Sequence, residues 1–169
     1  DQIVTLEEQV VQAVREAVAR LTDPTAVRSI RAKSETDYVT NVDVAVQEFL
    51  RERLAVLAPD VQFMGEEQDN SALDWSRPCW ILDPVDGTTN LIHRFRHSAV
   101  SLALTKAGQI LFGVVYNPYS GECFTARQGR GAFCNGIPIR VSGTERLGDS
   151  LISVGTVPGC RELADTAFR

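Results

Sequence analysis

The sequence has no closely spaced pair of cysteines and no long apolar run. Its four cysteines, Cys79, Cys123, Cys134 and Cys160, form no C-x-x-C motif, which argues against a zinc ribbon or a redox motif. No apolar run reaches the roughly 18 residues of a transmembrane helix, so we expect no membrane association. We therefore expect a cytoplasmic protein whose thiols are reduced.

A basic face is also missing. The chain carries 17 Lys and Arg against 22 Asp and Glu, a formal net charge of -5. Nucleic-acid binding depends on clustered positive charge, so we expect no nucleic-acid partner, whereas an acidic protein is a suitable host for divalent cations. With 44% hydrophobic residues, the 169-residue chain has enough apolar material for the core of one domain or slightly more.

Two amphipathic helices are predicted in the first third of the chain. Residues 5–21 have apolar side chains at helical spacing, and Thr5 with Glu8 forms a capping-box pattern. Residues 41–57 predict the second helix, and the polar segment 28–39 predicts a loop or a short hairpin. Short strands, mostly joined by hairpin turns, are predicted at 61–64, 79–82, 98–105, 110–116, 122–127 and within 129–142. The pattern indicates an α+β fold with helices on one face of an antiparallel sheet.

The pattern changes after residue 147. Residues 150–156 resemble a strand, and residues 161–169 resemble the first part of a helix. We therefore predict a helix-plus-sheet domain at 1–147, which carries most of the candidate site, and the beginning of a C-terminal α/β domain at 148–169.

Two carboxylates stand three positions apart where an apolar strand ends. Asp83 and Asp86 flank Pro84, which restricts the backbone and stiffens the turn. Such a turn can direct both carboxylates, and the carbonyl between them, at one ion, and oxygen ligands suit Mg²⁺. The next residues, "GTTNLIHRF", predict a short helix whose first N–H groups could bind phosphate. An ordinary turn remains the alternative, since Asp, Pro and Gly are common turn residues.

Three other acidic residues favour the metal-site interpretation. Glu66 and Glu67 follow a short strand, and Asp43 lies in the first turn of the second predicted helix. Taken singly, the glutamates are explained as surface charge and Asp43 as compensation of the helix dipole. Together with Asp83 and Asp86 they indicate a cluster of carboxylates around a divalent cation.

These segments resemble the inositol monophosphatase family of Mg²⁺-dependent phosphatases. The resemblance rests on "VTNVD", "MGEE", "WILDPVDGTTNLIHRF", "AVSLAL", "FGVVYNP" and "GRGAFCNG", which occur in this order between residues 30 and 142. It implies a layered αβαβα sandwich, of which this chain supplies the first layers. It also implies a lithium-sensitive, homodimeric phosphoric monoester hydrolase in which a metal-activated water attacks the phosphate, most readily that of an inositol monophosphate.

The resemblance implies which residues hold the metal. It assigns Glu66, Asp83 and Asp86, with the backbone carbonyl of Val85, as ligands of two or three Mg²⁺ ions. Glu67 has a weaker claim to a role. Family members carry a further ligand in a Trp-Asp motif, and this chain has no such pair, so we expect that ligand outside the 169 residues.

The resemblance also implies catalytic and substrate-binding residues. The backbone of Gly87 and Thr88 is expected to hold phosphate, and Asp43 to accept a hydrogen bond from Thr88. That pair, together with Glu66, is expected to orient and activate the attacking water. Lys33 matches a lysine near the site in many members, a looser assignment.

Other interpretations stay open at this point. The same chemistry could act on 3′-phosphoadenosine 5′-phosphate, fructose 1,6-bisphosphate or histidinol phosphate. A regulatory or binding protein on a phosphatase scaffold is an alternative of another class. His93 and His97 follow the predicted phosphate turn, and we expect them to be structural, because the expected ligands are oxygen atoms.

Overall fold

The first helix, α1 (Leu6–Val18), begins with the predicted capping box. In the computed structural model, which describes residues 5–33 and 38–153, the Thr5 hydroxyl accepts the Glu8 N–H at 3.2 Å. The Glu8 carboxylate accepts the Thr5 N–H at 2.7 Å in return. The helix ends before the predicted residue 21, although Leu21 is buried as its spacing indicated.

Two short strands and the second helix follow. Strands β1 (Ile30–Ala32) and β2 (Tyr38–Thr40) pair antiparallel, which agrees with the predicted short hairpin. Helix α2 (Asn41–Leu57) has the predicted bounds and begins directly after β2.

A seven-stranded sheet follows α2 in the described part of the chain. Its strands are β3 (Gln62–Gly65), β4 (Cys79–Asp86), β5 (Ala99–Lys106), β6 (Gln109–Asn117), β7 (Glu122–Arg127), β8 (Gly131–Cys134) and β9 (Ile137–Ile139). They lie side by side in chain order, and from β4 to β9 every neighbouring pair is antiparallel.

One edge of the sheet differs from the prediction. Strands β3 and β4 are parallel, so the expectation of a wholly antiparallel sheet is wrong there. The connection at 66–78 is long enough to return the chain to the end where β3 began, which a tight hairpin cannot do. Because the two strands are parallel, their C-terminal ends lie side by side at one end of the sheet.

Strand β4 also continues past its predicted end at residue 82. Asp83 pairs with Ser101 and Asp86 with Ala99, so β4 has one more residue than β5 between these pairs. Such a bulge bends the strand and redirects its side chains. A short helix, α3 (Thr88–Ile92), follows the bulge as predicted.

The hydrophobic core lies between the two long helices and one face of the sheet. Its buried side chains include Val10, Val14, Val46, Leu50, Leu54, Trp80, Leu82, Val100, Leu102 and Val114. Burial of such side chains stabilises the fold by about 1.5–3 kcal/mol each. None of the described helices is both long and apolar enough to cross a membrane.

The end of the described chain has little regular structure. A short 3₁₀ turn at Leu147–Asp149 is followed by residues 150–153, which belong to no strand, so the first part of the strand predicted at 150–156 is not observed. The rest of that strand and the helix predicted at 161–169 lie outside the described residues. The proposed division of the chain at residues 147 and 148 stays a prediction.

Candidate active site

Asp43 is a buried carboxylate at the beginning of α2, with 2% of its surface exposed. Its Oδ2 accepts the N–H of Thr40 at 2.8 Å and the Thr40 hydroxyl at 2.6 Å. These bonds form a capping box, so Asp43 has a structural role at the beginning of α2. They use only one of its two oxygen atoms.

The other oxygen of Asp43 faces Thr88. The Thr88 hydroxyl lies 3.0 Å from Asp43 Oδ1 and 3.0 Å from the carbonyl oxygen of Val85. A hydroxyl has a single proton, and Thr88 can donate that proton to one of these two acceptors or share it between them. In either case the lone pairs of the Thr88 oxygen can accept a hydrogen bond from a further donor, such as water.

The bulge of β4 crowds carboxylates together. The Val85 N–H donates to Asp83 Oδ1 at 3.1 Å, which fixes the Asp83 side chain against the bulge. Burial, together with the negative charges of Glu66, Asp86 and Asp43, raises the pKa of Asp83 to about 6. A carboxylate surrounded by others in this way favours a nearby cation.

Lys33 supplies positive charge on the β3 side of the cluster. Its Nζ lies 2.7 Å from Glu66 Oε1 and 2.5 Å from Glu67 Oε1. Burial lowers the pKa of Lys33, but the hydrogen bonds and charges of the two glutamates outweigh it and raise the pKa above its usual range. Among the described residues, the Lys33 ammonium is the partner of the buried Glu67 Oε1, so this ion pair is what stabilises that oxygen. The looser assignment of Lys33 therefore falls on a residue that contacts the predicted site.

The donor set fits a hard cation, although the side chains are not arranged around one. Within the described part of the chain, no three His, Cys, Asp or Glu side chains stand close enough to hold a metal ion as they are. Glu66 is directed at the Lys33 ammonium, which is itself a cation stabilised at this edge. Carboxylates and a backbone carbonyl are the ligands that Mg²⁺ prefers. Glu66 would have to exchange Lys33 for the metal.

The turn between β4 and α3 requires glycine. Gly87 has φ 90°, and a Cβ there would lie 2.9 Å from the carbonyl oxygen of His97. The Ser98 hydroxyl donates to the Gly87 carbonyl at 2.9 Å, and Asn90 Nδ2 donates to the His97 carbonyl at 2.7 Å. The helix that follows this turn, α3, has only five residues. The phosphate-binding role of Gly87 and Thr88 stays a prediction from the resemblance.

The two histidines are exposed on the segment after α3. The ring of His97 lies edge-on to that of Phe95, with centroids 6.4 Å apart, and its carbonyl accepts from Asn90. These contacts involve His97 only, and the expectation that both histidines are structural stays a prediction.

One residue at the site was not predicted. Gln47, buried on α2, accepts the N–H of Glu67 at 2.9 Å. The available signal was its position one helical turn after Asp43, on the same otherwise apolar face of α2.

Comparisons with known proteins point to a single family. A model of the inositol monophosphatase family matches residues 1–164. The chain is 37% identical over 155 residues to "Inositol monophosphatase 1" of Homo sapiens, covering 90% of this chain and 54% of that protein. The chain is 39% identical to "Inositol-1-monophosphatase" of Rhizobium meliloti (strain 1021), covering 75% of this chain and 48% of that protein.

A solved structure shares the fold. The extragenic suppressor protein suhB from Bartonella henselae matches with a TM-score of 0.79 and 36% identity, over 85% of this chain and 56% of that one. The mixed sheet with its helices agrees with this fold, and the prediction of an α+β sandwich is confirmed. The chain spans about half the length of the curated relatives it matches.

Proposed function

Because the chain belongs to the inositol monophosphatase family, we propose that it takes part in Mg²⁺-dependent hydrolysis of a phosphate monoester, most readily an inositol monophosphate. The single observation that carries the proposal is the contact between Asp43 and Thr88 beside the bulge of β4. A capping box alone does not explain this contact, because it uses the Asp43 oxygen that capping leaves free.

One group of residues would bind the metal, and another would orient the attacking water. Glu66, Asp83, Asp86 and the Val85 carbonyl would hold Mg²⁺, which would neutralise the charge of the phosphate and lower the pKa of a water molecule. The Thr88 hydroxyl, when it donates to Asp43, has lone pairs that can accept a hydrogen bond from that water and so orient its oxygen for attack on the phosphorus.

The substrate is proposed from the names of the relatives. The human and Rhizobium relatives are named inositol monophosphatases, and both match more than two thirds of this chain. The same donor set could serve 3′-phosphoadenosine 5′-phosphate, fructose 1,6-bisphosphate or histidinol phosphate, because a metal and a positioned water act on the phosphate and not on the alcohol.

A substrate panel on the full-length protein tests the proposal. Phosphate release from inositol 1-phosphate and from the three alternative esters is measured with Mg²⁺, without it, and with added Li⁺. We expect Mg²⁺-dependent, Li⁺-sensitive turnover that is highest with inositol 1-phosphate. Asp83→Asn and Asp86→Asn should abolish it, whereas Asp60→Asn, an exposed aspartate before β3, should not. Full turnover in the Asp83 variant would show that the site is assigned wrongly.

Two broader expectations accompany this proposal. From the family resemblance we propose a homodimer that acts in the cytoplasm, which sedimentation and cell fractionation can test. A protein that binds a macromolecular partner stably and releases no phosphate from any ester would favour the regulatory alternative. The negative net charge and the complete set of visible family carboxylates argue against that alternative.

A further inference from the structure

Gln47 is a polar side chain on the buried face of α2. It is 2% exposed, as is Asp43 one helical turn before it, and its neighbours on that face are Val46 and Leu50. Residues four apart on a helix lie one above the other, so Gln47 and Asp43 form one polar column on an apolar helix face. A buried amide is costly unless its polar atoms are hydrogen-bonded, so its partner indicates why it is there.

The partner of Gln47 is the backbone beside the predicted metal ligand Glu66. Gln47 Oε1 accepts the N–H of Glu67 at 2.9 Å. The amide also lies against the Cα of Gly65, because a Cβ there would stand 2.3 Å from Gln47 Oε1 and 2.5 Å from its Cδ. Gly65 does not have positive φ, so what a side chain at this position would meet is the Gln47 amide, which would have to shift to make room for it.

The turn after β3, residues 66–68, is held by two further hydrogen bonds from the segment that leads to β4. Asn70 Nδ2 donates to the Gly65 carbonyl at 2.7 Å, and Gln68 Nε2 donates to the Phe63 carbonyl at 3.0 Å. These two bonds fix the turn to its own connection. Of the hydrogen bonds described for the turn, the one to Gln47 is the bond that joins it to α2.

We propose that Gln47 is a positioning residue for the metal site. It holds the backbone of Glu66 and Glu67 at a set distance from Asp43, so that the carboxylate after β3 and the water-orienting Asp43–Thr88 pair keep their relative places. The proposal rests on the proposed metal-dependent function. Side chains that orient metal ligands in this way affect metal affinity when they are replaced.

Metal binding by Gln47→Met tests the proposal. Methionine has nearly the same length, but its thioether is a much weaker acceptor for the Glu67 N–H, and Gln12→Met on the exposed surface of α1 is the matched control. Titration with Mn²⁺, followed by the electron paramagnetic resonance of the free ion, should show binding about 10–100-fold weaker in Gln47→Met and unchanged in the control. The Mg²⁺ concentration for half-maximal activity should rise, while kcat at saturating Mg²⁺ stays within about threefold of wild type.

The outcomes separate this inference from the function. Saturable Mn²⁺ binding by the wild type with unchanged binding by Gln47→Met would overturn the inference alone. A full-length wild-type protein that binds no Mn²⁺ would overturn the proposed function, and the inference with it.

A double-variant cycle gives a second test that does not depend on the folding of Gln47→Met. Gly65→Ala introduces a methyl group into the space of the amide, so it should weaken Mn²⁺ binding as strongly as loss of the glutamine does. In the Gln47→Ala background that space is empty, and the added methyl should have little further effect. Effects on Mn²⁺ affinity that simply multiply would show that the two residues act independently and would overturn the proposal.

Discussion

The Thr88 hydroxyl lies 3.0 Å from Asp43 Oδ1, although the two residues are 45 positions apart in the chain. Asp43 belongs to the first turn of α2, and Thr88 to the first turn of α3, beside the bulge of β4. The contact therefore joins a helix to the sheet edge at which the other predicted site residues gather.

Replacement of the hydroxyl tests the role of this contact. Thr88→Val keeps the shape of the side chain but cannot donate to Asp43 or accept from water, so kcat should fall by about 10²-fold or more. Thr88→Ser keeps the hydroxyl and should retain most of the activity. Phosphate release at saturating Mg²⁺ is the measurement, and equal rates for the valine and serine variants would contradict the assigned role.

Neutralisation of Asp83 should stabilise the metal-free protein. Its pKa is raised from 3.8 to about 6, so the folded state binds the proton more tightly than the unfolded state does. The stability that this proton contributes is present at low pH and is lost as pH rises through about 6. With EDTA at pH 7.5, Asp83→Asn should therefore raise the free energy of unfolding by about 1–2 kcal/mol.

Two controls accompany the Asp83 experiment. At pH 4 the gain should disappear, because the wild-type carboxyl is then protonated in the folded state. Added Mg²⁺ should raise the midpoint of thermal unfolding of the wild type and leave that of Asp83→Asn unchanged. A variant that Mg²⁺ stabilises as much as the wild type would mean that Asp83 is not a ligand.

Removal of the Lys33 ammonium should lower the stability of the metal-free protein and raise its affinity for metal. Lys33→Met leaves the buried oxygen of Glu67 without its ion pair, so the metal-free protein should be less stable. The same change frees Glu66 and removes a competing positive charge, so Mn²⁺ should bind more tightly, most clearly at low ionic strength. Lys106→Met, at the exposed end of β5, is the control, and weaker Mn²⁺ binding by Lys33→Met would refute the competition.

Two glycines with similar backbone angles should differ in their tolerance of alanine. Gly87 has φ 90° and no room for a methyl group beside the His97 carbonyl, whereas Gly108 has φ 77° and open space. Gly108→Ala should cost only the backbone strain of about 1–2 kcal/mol. Gly87→Ala should cost more, because it adds a steric clash at the turn. Urea unfolding measures both, and equal losses would show that the turn relaxes freely.

The local structure was predictable because its causes are local. The capping box of Thr5 and Glu8 and the bounds of α2 follow from side chains within a few positions of one another. The hairpin strands from β4 to β9 were located for the same reason. The parallel pairing of β3 with β4 was not predicted, since it depends on where residues 66–78 lead the chain and not on the pattern of either strand.

The candidate site was predictable only in part. Residue type and position indicated that Asp43, Glu66, Asp83 and Asp86 gather around a cation, and the family resemblance added the pairing of Asp43 with Thr88. Neither indicated that Lys33 binds the glutamates, because ion pairs between distant segments leave no periodic signal.

The sequence by itself determined the helices, the hairpins and the kinds of oxygen donor, because propensity, capping and turn chemistry act over short stretches of chain. Only the tertiary structure decided that Gln47 lies on the turn that carries Glu66, and that its amide occupies the space beside the Gly65 Cα. Contacts of this kind depend on how α2 packs against the edge of the sheet. That packing is set by the whole core and not by any one segment.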